Sequence, residues 1–108
     1  MAIMREDLDA GRVDLRSVTT GETLAPVRPG DVLAEEFMGP LGISARALAR
    51  DIGVPANRVT AILHGERAIT ADTALRLADR FGTTAEFWMG LQMAHDLEVA
   101  RRGYARAA

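Results

Sequence analysis

From Pro29 onward apolar residues recur at helical spacing, and the breaks between runs fall at glycines and capping residues. Pro29 and Asp31 suit a helix start, and Val32, Leu33, Phe37 and Met38 supply a narrow apolar stripe that Gly39 and Pro40 are expected to end. Ser44 can cap a second helix through its hydroxyl, with Leu48 and Ile52 one turn apart on a single face. Gly53 then closes it in a left-handed conformation that costs a residue without Cβ little. Val54 plugs the turn, and Pro55 opens a third helix in which Val59 and Ile62 point inward. Thr70 caps a fourth, whose Ala74, Leu77, Ala78 and Phe81 share a face and which Gly82 ends. Thr83 and Glu86 have the spacing of a capping box for a last helix through Phe87, Trp88, Leu91, Ala94 and Leu97 to about Arg102. The pattern predicts an all-α chain of five helices.

Residues 1 to about 27 lack this periodicity and contain Gly11, Thr19, Thr20, Gly21 and Pro26. The expected division is an N-terminal arm over 1–27, partly disordered, a helical domain over 28–102 and a C-terminal tail over 103–108. A chain of 108 residues has room for one core. Apolar residues make up 48% and aromatic ones only 5%, so that core is mostly aliphatic and alanine, which favours helices. There is no cysteine, so neither disulfides nor a thiolate metal site supports the fold. No apolar run approaches a membrane span, and the opening MAIMREDLDAGR is too polar for a secretory signal; a cytoplasmic protein without a membrane partner is expected.

The stretch from Ser44 to Thr70 reads as a helix-turn-helix, with Ala56, Asn57, Arg58, Thr60 and Ala61 left outside on its second helix. Asn can bond adenine bidentately in the major groove, Arg can do the same to guanine, and Ala or Thr methyls can touch the thymine methyl. A helix meant only to be wet more often carries Glu, Lys or Gln, which are better helix formers. The competing reading is an αα-hairpin that merely packs, with Asn57 and Arg58 solvated. Net charge changes the picture: it is −2, with a pI near 5.6, whereas DNA-binding domains usually carry basic patches. Its distribution restores part of the argument. Ser44 to Thr70 holds four arginines (Arg46, Arg50, Arg58, Arg67) against two acids (Asp51, Glu66), while Glu6, Asp7, Asp9, Asp14, Glu22, Asp31, Glu35 and Glu36 gather earlier. All thirteen basic residues are arginine, which a bias toward Ala and Arg codons explains as well as any function does. Catalysis has little to build on: two histidines, two serines (Ser17, Ser44), no HExxH and no GxxxxGK loop.

Three segments, RPGDVLAEEF, LARDIGVPANRVTAILHGERAITADTALRLADRFGTTAEFW and LQMAHDLEVAR, together span about Arg28 to Arg101. They resemble the HigA-type antitoxins, also called virulence-associated protein I-like, of the Xre/Cro helix-turn-helix class. The resemblance implies a five-helix Xre/Cro (lambda-repressor-like) domain. It also implies a dimeric repressor that binds a palindromic operator in double-stranded DNA and neutralises a small basic ribonuclease toxin encoded beside it. Some close relatives are free-standing regulators. By that resemblance Ala56, Asn57, Arg58, Thr60 and Ala61 fall where recognition helices meet base edges, and Arg46 where this class touches phosphate. Arg67 either holds the DNA backbone or pairs with Glu66 or Asp72, and Thr70 either donates to phosphate or caps its helix. His64 ends the recognition helix, where the dipole favours a cation and phosphate contact is open to it. The last helices are implied to form the dimer interface through Trp88, Leu91 and His95, with Trp88 serving the core as well or instead. No cofactor or metal is implied. The arm is longer than the family's usual start; with five acids against three arginines over residues 1–27 it either steers a basic nuclease or is a mobile terminus.

Overall fold

The first helix carries a proline where an α-helix should break, yet it continues. In the computed structural model, which describes residues 27–107, helix α1 consists of α-helical Pro29–Val32, a π-helical stretch Leu33–Met38 and α-helical Gly39–Leu41. Gly39 N–H bonds back to the carbonyl of Ala34, five residues earlier. In a regular α-helix Pro40 would lack a donor and press its ring on the carbonyl four residues before it. The wider π turn moves the register off that carbonyl, so the helix passes the expected stop at Gly39–Pro40 and ends at Gly42, φ 65°. The same widening stacks residues five apart. Leu33 and Met38 are therefore both buried, 1% and 6% exposed, although α-helical rotation would turn them apart.

The next helices follow their local signals. Helix α2 (Ala45–Ile52) is capped by Ser44 Oγ, which accepts the Ala47 N–H at 3.1 Å, and closes at Gly53, φ 75°. Helix α3 (Ala56–Leu63) starts one residue later than expected: Pro55, with ψ 146°, is its N-cap and not its first helical residue. Helix α4 (Ala71–Phe81) is capped by Thr70 and ended by Gly82. Helix α5 (Ala85–Ala107) departs from expectation at both ends. Its cap is Thr84, whose Oγ1 accepts the Phe87 N–H at 3.0 Å, while Thr83 Oγ1 accepts the indole Nε1–H of Trp88 at 2.7 Å. An indole buried in the core needs an acceptor, and that need takes Thr83 out of the capping box. At the other end residues 103–107 prolong the helix where a tail was expected. Gly103 costs about 1 kcal/mol there, but arginine and alanine neighbours and the Arg102 Nε–Glu98 pair at 3.0 Å favour continuation. The expected arm lies, up to residue 26, outside the described residues.

Leu33, Leu48, Val59, Ile69, Leu77 and Trp88 form the fully buried centre. All three phenylalanines and the one tryptophan meet beside it. Phe37 lies 4.9 Å from Trp88 and 5.2 Å from Phe81 between ring centroids, and Phe87 meets Trp88 edge-on at 5.0 Å. Against α3 the packing is closer still. A Cβ on Gly30 would fall on the carbonyl oxygen of Ile62 and within 2.9 Å of Leu63 Cα, so α1 touches the third helix backbone to backbone.

Thr83→Val keeps the shape of the side chain but leaves the buried indole N–H without an acceptor. The expected loss is about 1–3 kcal/mol, a fall in midpoint of roughly 4–8 °C per kcal/mol for a domain this size. Thermal denaturation followed by Trp88 fluorescence measures it.

Candidate nucleic-acid interface

Helices α2 and α3 pack through Leu48, Ala49 and Ile52 on one side and Val59 and Ile62 on the other, all buried. Burying those residues turns the opposite side of α3 outward. Ala56, Asn57 and His64 are exposed there, with Thr60 and Ala61 half-buried among them. The Thr60 hydroxyl donates back to the carbonyls of Asn57 at 3.2 Å and Ala56 at 3.4 Å, which leaves its methyl and oxygen lone pairs for an outside group. Pro55 supplies no side-chain cap, so of the first N–H groups of α3 that of Arg58 is taken by the Pro55 carbonyl at 3.0 Å while the positive end of the helix has no side-chain acceptor. Arg46, in the first turn of α2, and Arg67, in the loop after α3, are exposed, and His64 occupies the C-cap of α3. Thr70 is engaged as a cap: its Oγ1 accepts the Thr73 N–H at 3.5 Å and donates to Thr73 Oγ1 at 3.4 Å.

Arg58 is placed differently from its neighbours. Only a quarter of its side chain is exposed, and its Nη1 donates to Asp72 Oδ2 at 3.2 Å, so the guanidinium lies along α4 on the flank of the outward face. Its Nε is buried without a hydrogen-bond partner. Asp72 Oδ2 also accepts from Arg76 Nε at 3.0 Å, and Arg76 Nη1 donates to the carbonyl of Ile52 at 2.7 Å, at the end of α2. Asp72, considered from sequence as a partner for Arg67, is thus shared by Arg58 and Arg76. One chain of contacts joins α2, α3 and α4.

Arg76 and Asp72 went unnoticed in the sequence as site residues, although their i, i+4 spacing is visible there. Gln92 was missed as well. It is buried on the inner side of α5, where its Oε1 accepts the Ile69 N–H at 2.8 Å and its Nε2 donates to Asp96 Oδ1 at 2.9 Å. That anchors the end of the loop bearing Arg67. The expected interface residues divide. Trp88 is 0% exposed and offers no surface to a partner, because the aromatic cluster encloses it. Leu91 and His95 are half-buried, and His95 Nδ1 lies 3.6 Å from Asp96 Oδ1. Of the open apolar side chains of α5, Met89, Met93, Leu97 and Tyr104 share the face turned away from the core, while Phe87 and Val99 lie to either side of it. Among the described residues no three His, Cys, Asp or Glu side chains group as a metal ion requires, and no helix is long and apolar enough to cross a membrane.

Known proteins share this fold and much of this sequence. The helix-turn-helix family matches residues 35–88, half of the chain. Virulence-associated protein I of Dichelobacter nodosus is 42% identical over 87 residues, 80% of this chain and 81% of its own length. A solved addiction module antidote protein of the HigA family from Coxiella burnetii is 51% identical, covering 78% of this chain and 91% of that one, with a TM-score of 0.73. The Pseudomonas aeruginosa antitoxin HigA, solved with the higBA promoter, is 40% identical, covering 76% and 89%, also at a TM-score of 0.73.

Arg76→Met retains the alkyl stem and removes the bond to the end of α2. A loss of about 1.5–3 kcal/mol, the scale of a hydrogen bond to a charged group, is expected from urea unfolding. Hydrogen exchange should quicken at the Gly53 and Val54 amides, both of which bond to the carbonyl of Ala49.

Proposed function

The chain belongs to the HigA-type antitoxins of the helix-turn-helix family, and on that footing we propose that it is the antitoxin of a toxin–antitoxin pair and the repressor of its own operon. One observation carries the reading: the outward face of α3 presents Ala56, Asn57, Thr60 and Ala61, short groups suited to base edges, on a frame shared with an antitoxin solved on promoter DNA. Asn57, exposed and central on that face, is the residue to grip an adenine, with the Ala56, Thr60 and Ala61 methyls against thymine. Arg58 addresses guanine from the flank. Arg46, His64 and Arg67 surround this face as phosphate contacts that set register without reading sequence, while Thr70 keeps its capping role.

A single α3 gives one half-site, and specific affinity at physiological salt calls for two. We therefore read the functional unit as a homodimer formed through the outer face of α5, where Met89, Met93, Leu97 and Tyr104 are 38%, 61%, 43% and 79% exposed; Leu91 and His95 lie on the core side of the helix, outside that contact. Two α3 helices about 34 Å apart meet successive major grooves and require an operator of two-fold symmetry. Bound there, in the cytoplasm where the chromosome lies, the dimer occludes polymerase. The partner we infer is a small basic ribonuclease, to which exposed Glu35 and Glu36 and the five acids of residues 1–26 offer complementary charge. Neither histidine lies in an arrangement that suggests catalysis, and no reaction is assigned to the chain itself.

Two measurements test this. A tagged chain purified from cells carrying its native flanking DNA is expected to bring down a small basic neighbour in stoichiometric amount, read by mass spectrometry; a dimer without a companion leaves a free-standing repressor. Asn57→Ala is expected to weaken binding to a promoter duplex by about fivefold to a hundredfold, from the roughly 1–3 kcal/mol of a bidentate base contact, with an unchanged circular dichroism spectrum. Undiminished affinity in that variant removes Asn57 from the reading face.

A further inference from the structure

Asp72 places a carboxylate beside the helix that is to approach a polyanion. Left alone, such a charge only opposes binding. It is not left alone. One oxygen, Oδ2, receives Arg58 Nη1 at 3.2 Å and Arg76 Nε at 3.0 Å. Arg76 is itself tethered to the Ile52 carbonyl at 2.7 Å, so the carboxylate is held from behind by an element outside α3. Arg58 is the one member of the triad on the reading helix. Its side chain is 25% exposed and its Nε is buried, a posture that a solvated arginine in the first turn of a helix has no reason to adopt. The bond to Asp72 supplies the reason.

We propose that Asp72 is a specificity-determining residue, which acts by fixing the orientation of Arg58. The proposal rests on the DNA-binding reading above and adds a division of labour within it. Held at Nη1, Arg58 keeps its fork in one direction at the edge of the reading face and contributes where a base edge meets that direction. Freed, it becomes a long flexible cation that grips any phosphate within reach. Asp72 also lowers the charge of the triad: two arginines and one aspartate sum to +1, whereas the arginines alone sum to +2. Each additional phosphate neutralised steepens the dependence of log K on log salt by about 0.9 for duplex DNA. Discrimination is a ratio of affinities, so strengthening the unspecific member erodes it even when the specific one is unchanged.

The test compares wild type, Asp72→Asn, Arg58→Ala and the double variant on two fluorescent duplexes across a salt series. One is drawn from the DNA immediately upstream of the chain's own coding sequence; the other is the same duplex scrambled. Asp72→Asn is expected to bind the scrambled duplex several-fold more tightly, with a slope steeper by about 0.9, and to lose roughly tenfold in the ratio of the two affinities. In the Arg58→Ala background the same substitution should leave the ratio unchanged, because the residue it positions is gone. A ratio unaltered by Asp72→Asn overturns the proposal, as does a loss that persists in full without Arg58, which would make Asp72 a general charge and nothing more. A wild type that prefers neither duplex overturns the DNA-binding reading and this inference with it; a wild type that discriminates as sharply as Asp72→Asn overturns this inference alone. Asp72 is more than half exposed in the first turn of α4, and Asp72→Ser, with another helix-start residue, gives the same comparison should the asparagine variant prove unstable.

Discussion

Two helices of a helix-turn-helix present a surface to DNA only if the angle between them is fixed, and the bond from Arg76 to the carbonyl of Ile52 fixes it from outside. The last carbonyls of α2 lack helical partners, and the turn at Gly53 leaves that of Ile52 open. A guanidinium from α4 fills the need at 2.7 Å. Gly53 admits it, because a Cβ there would come within 3.2 Å of Arg76 Nη1; the same glycine also takes the left-handed conformation that ends the helix. Through Asp72 the clamp reaches Arg58, so the end of α2, the beginning of α3 and the beginning of α4 are joined. Each exposed ion pair in this set contributes little to stability. Its product is geometry.

The opposite side of the domain is secured by buried polar groups. Trp88 brings an indole N–H into the core and Thr83 accepts it; Gln92 brings an amide to the inner side of α5 and spends it on the Ile69 N–H and Asp96. A buried donor without a partner is costly, so each of these contacts is specific where an aliphatic contact would only be adhesive. Together with the four-ring aromatic cluster they seat α5 against α1 and α4 and hold the loop that follows the reading helix.

Much of this was legible in the sequence, and the division between what was and what was not has a physical basis. Ser44, Gly53, Thr70 and Gly82 act on their own turns, and Val59 and Ile62 follow helical period, so the helix-turn-helix and its outward residues could be read directly. The resemblance of Arg28 to Arg101 to the HigA-type antitoxins likewise agrees with the relatives found. What escaped depends on partners far along the chain. Arg58 turns toward a residue 14 positions away, Arg76 reaches back 24, and Gln92 serves an amide 23 residues before it. Thr83 was misread for the same reason: two adjacent threonines fit one capping role, and only the position of Trp88 decides between them. The π turn is a case apart. Gly39–Pro40 is a sound stop signal, and the helix passes it by a change of register that no residue announces.

At Gly30 the contact between α1 and the reading helix is main chain to main chain, since Gly30 contributes no side chain where it meets Ile62 and Leu63. Elsewhere in the core, spacing depends on side-chain volume and can drift as one aliphatic residue replaces another. Here the separation is set by the van der Waals radii of peptide groups, which substitution does not alter. The C-terminal end of α3 is thereby referenced to a fixed stop, and among descendants of this chain the base-facing residues can be exchanged without re-levelling the platform that carries them.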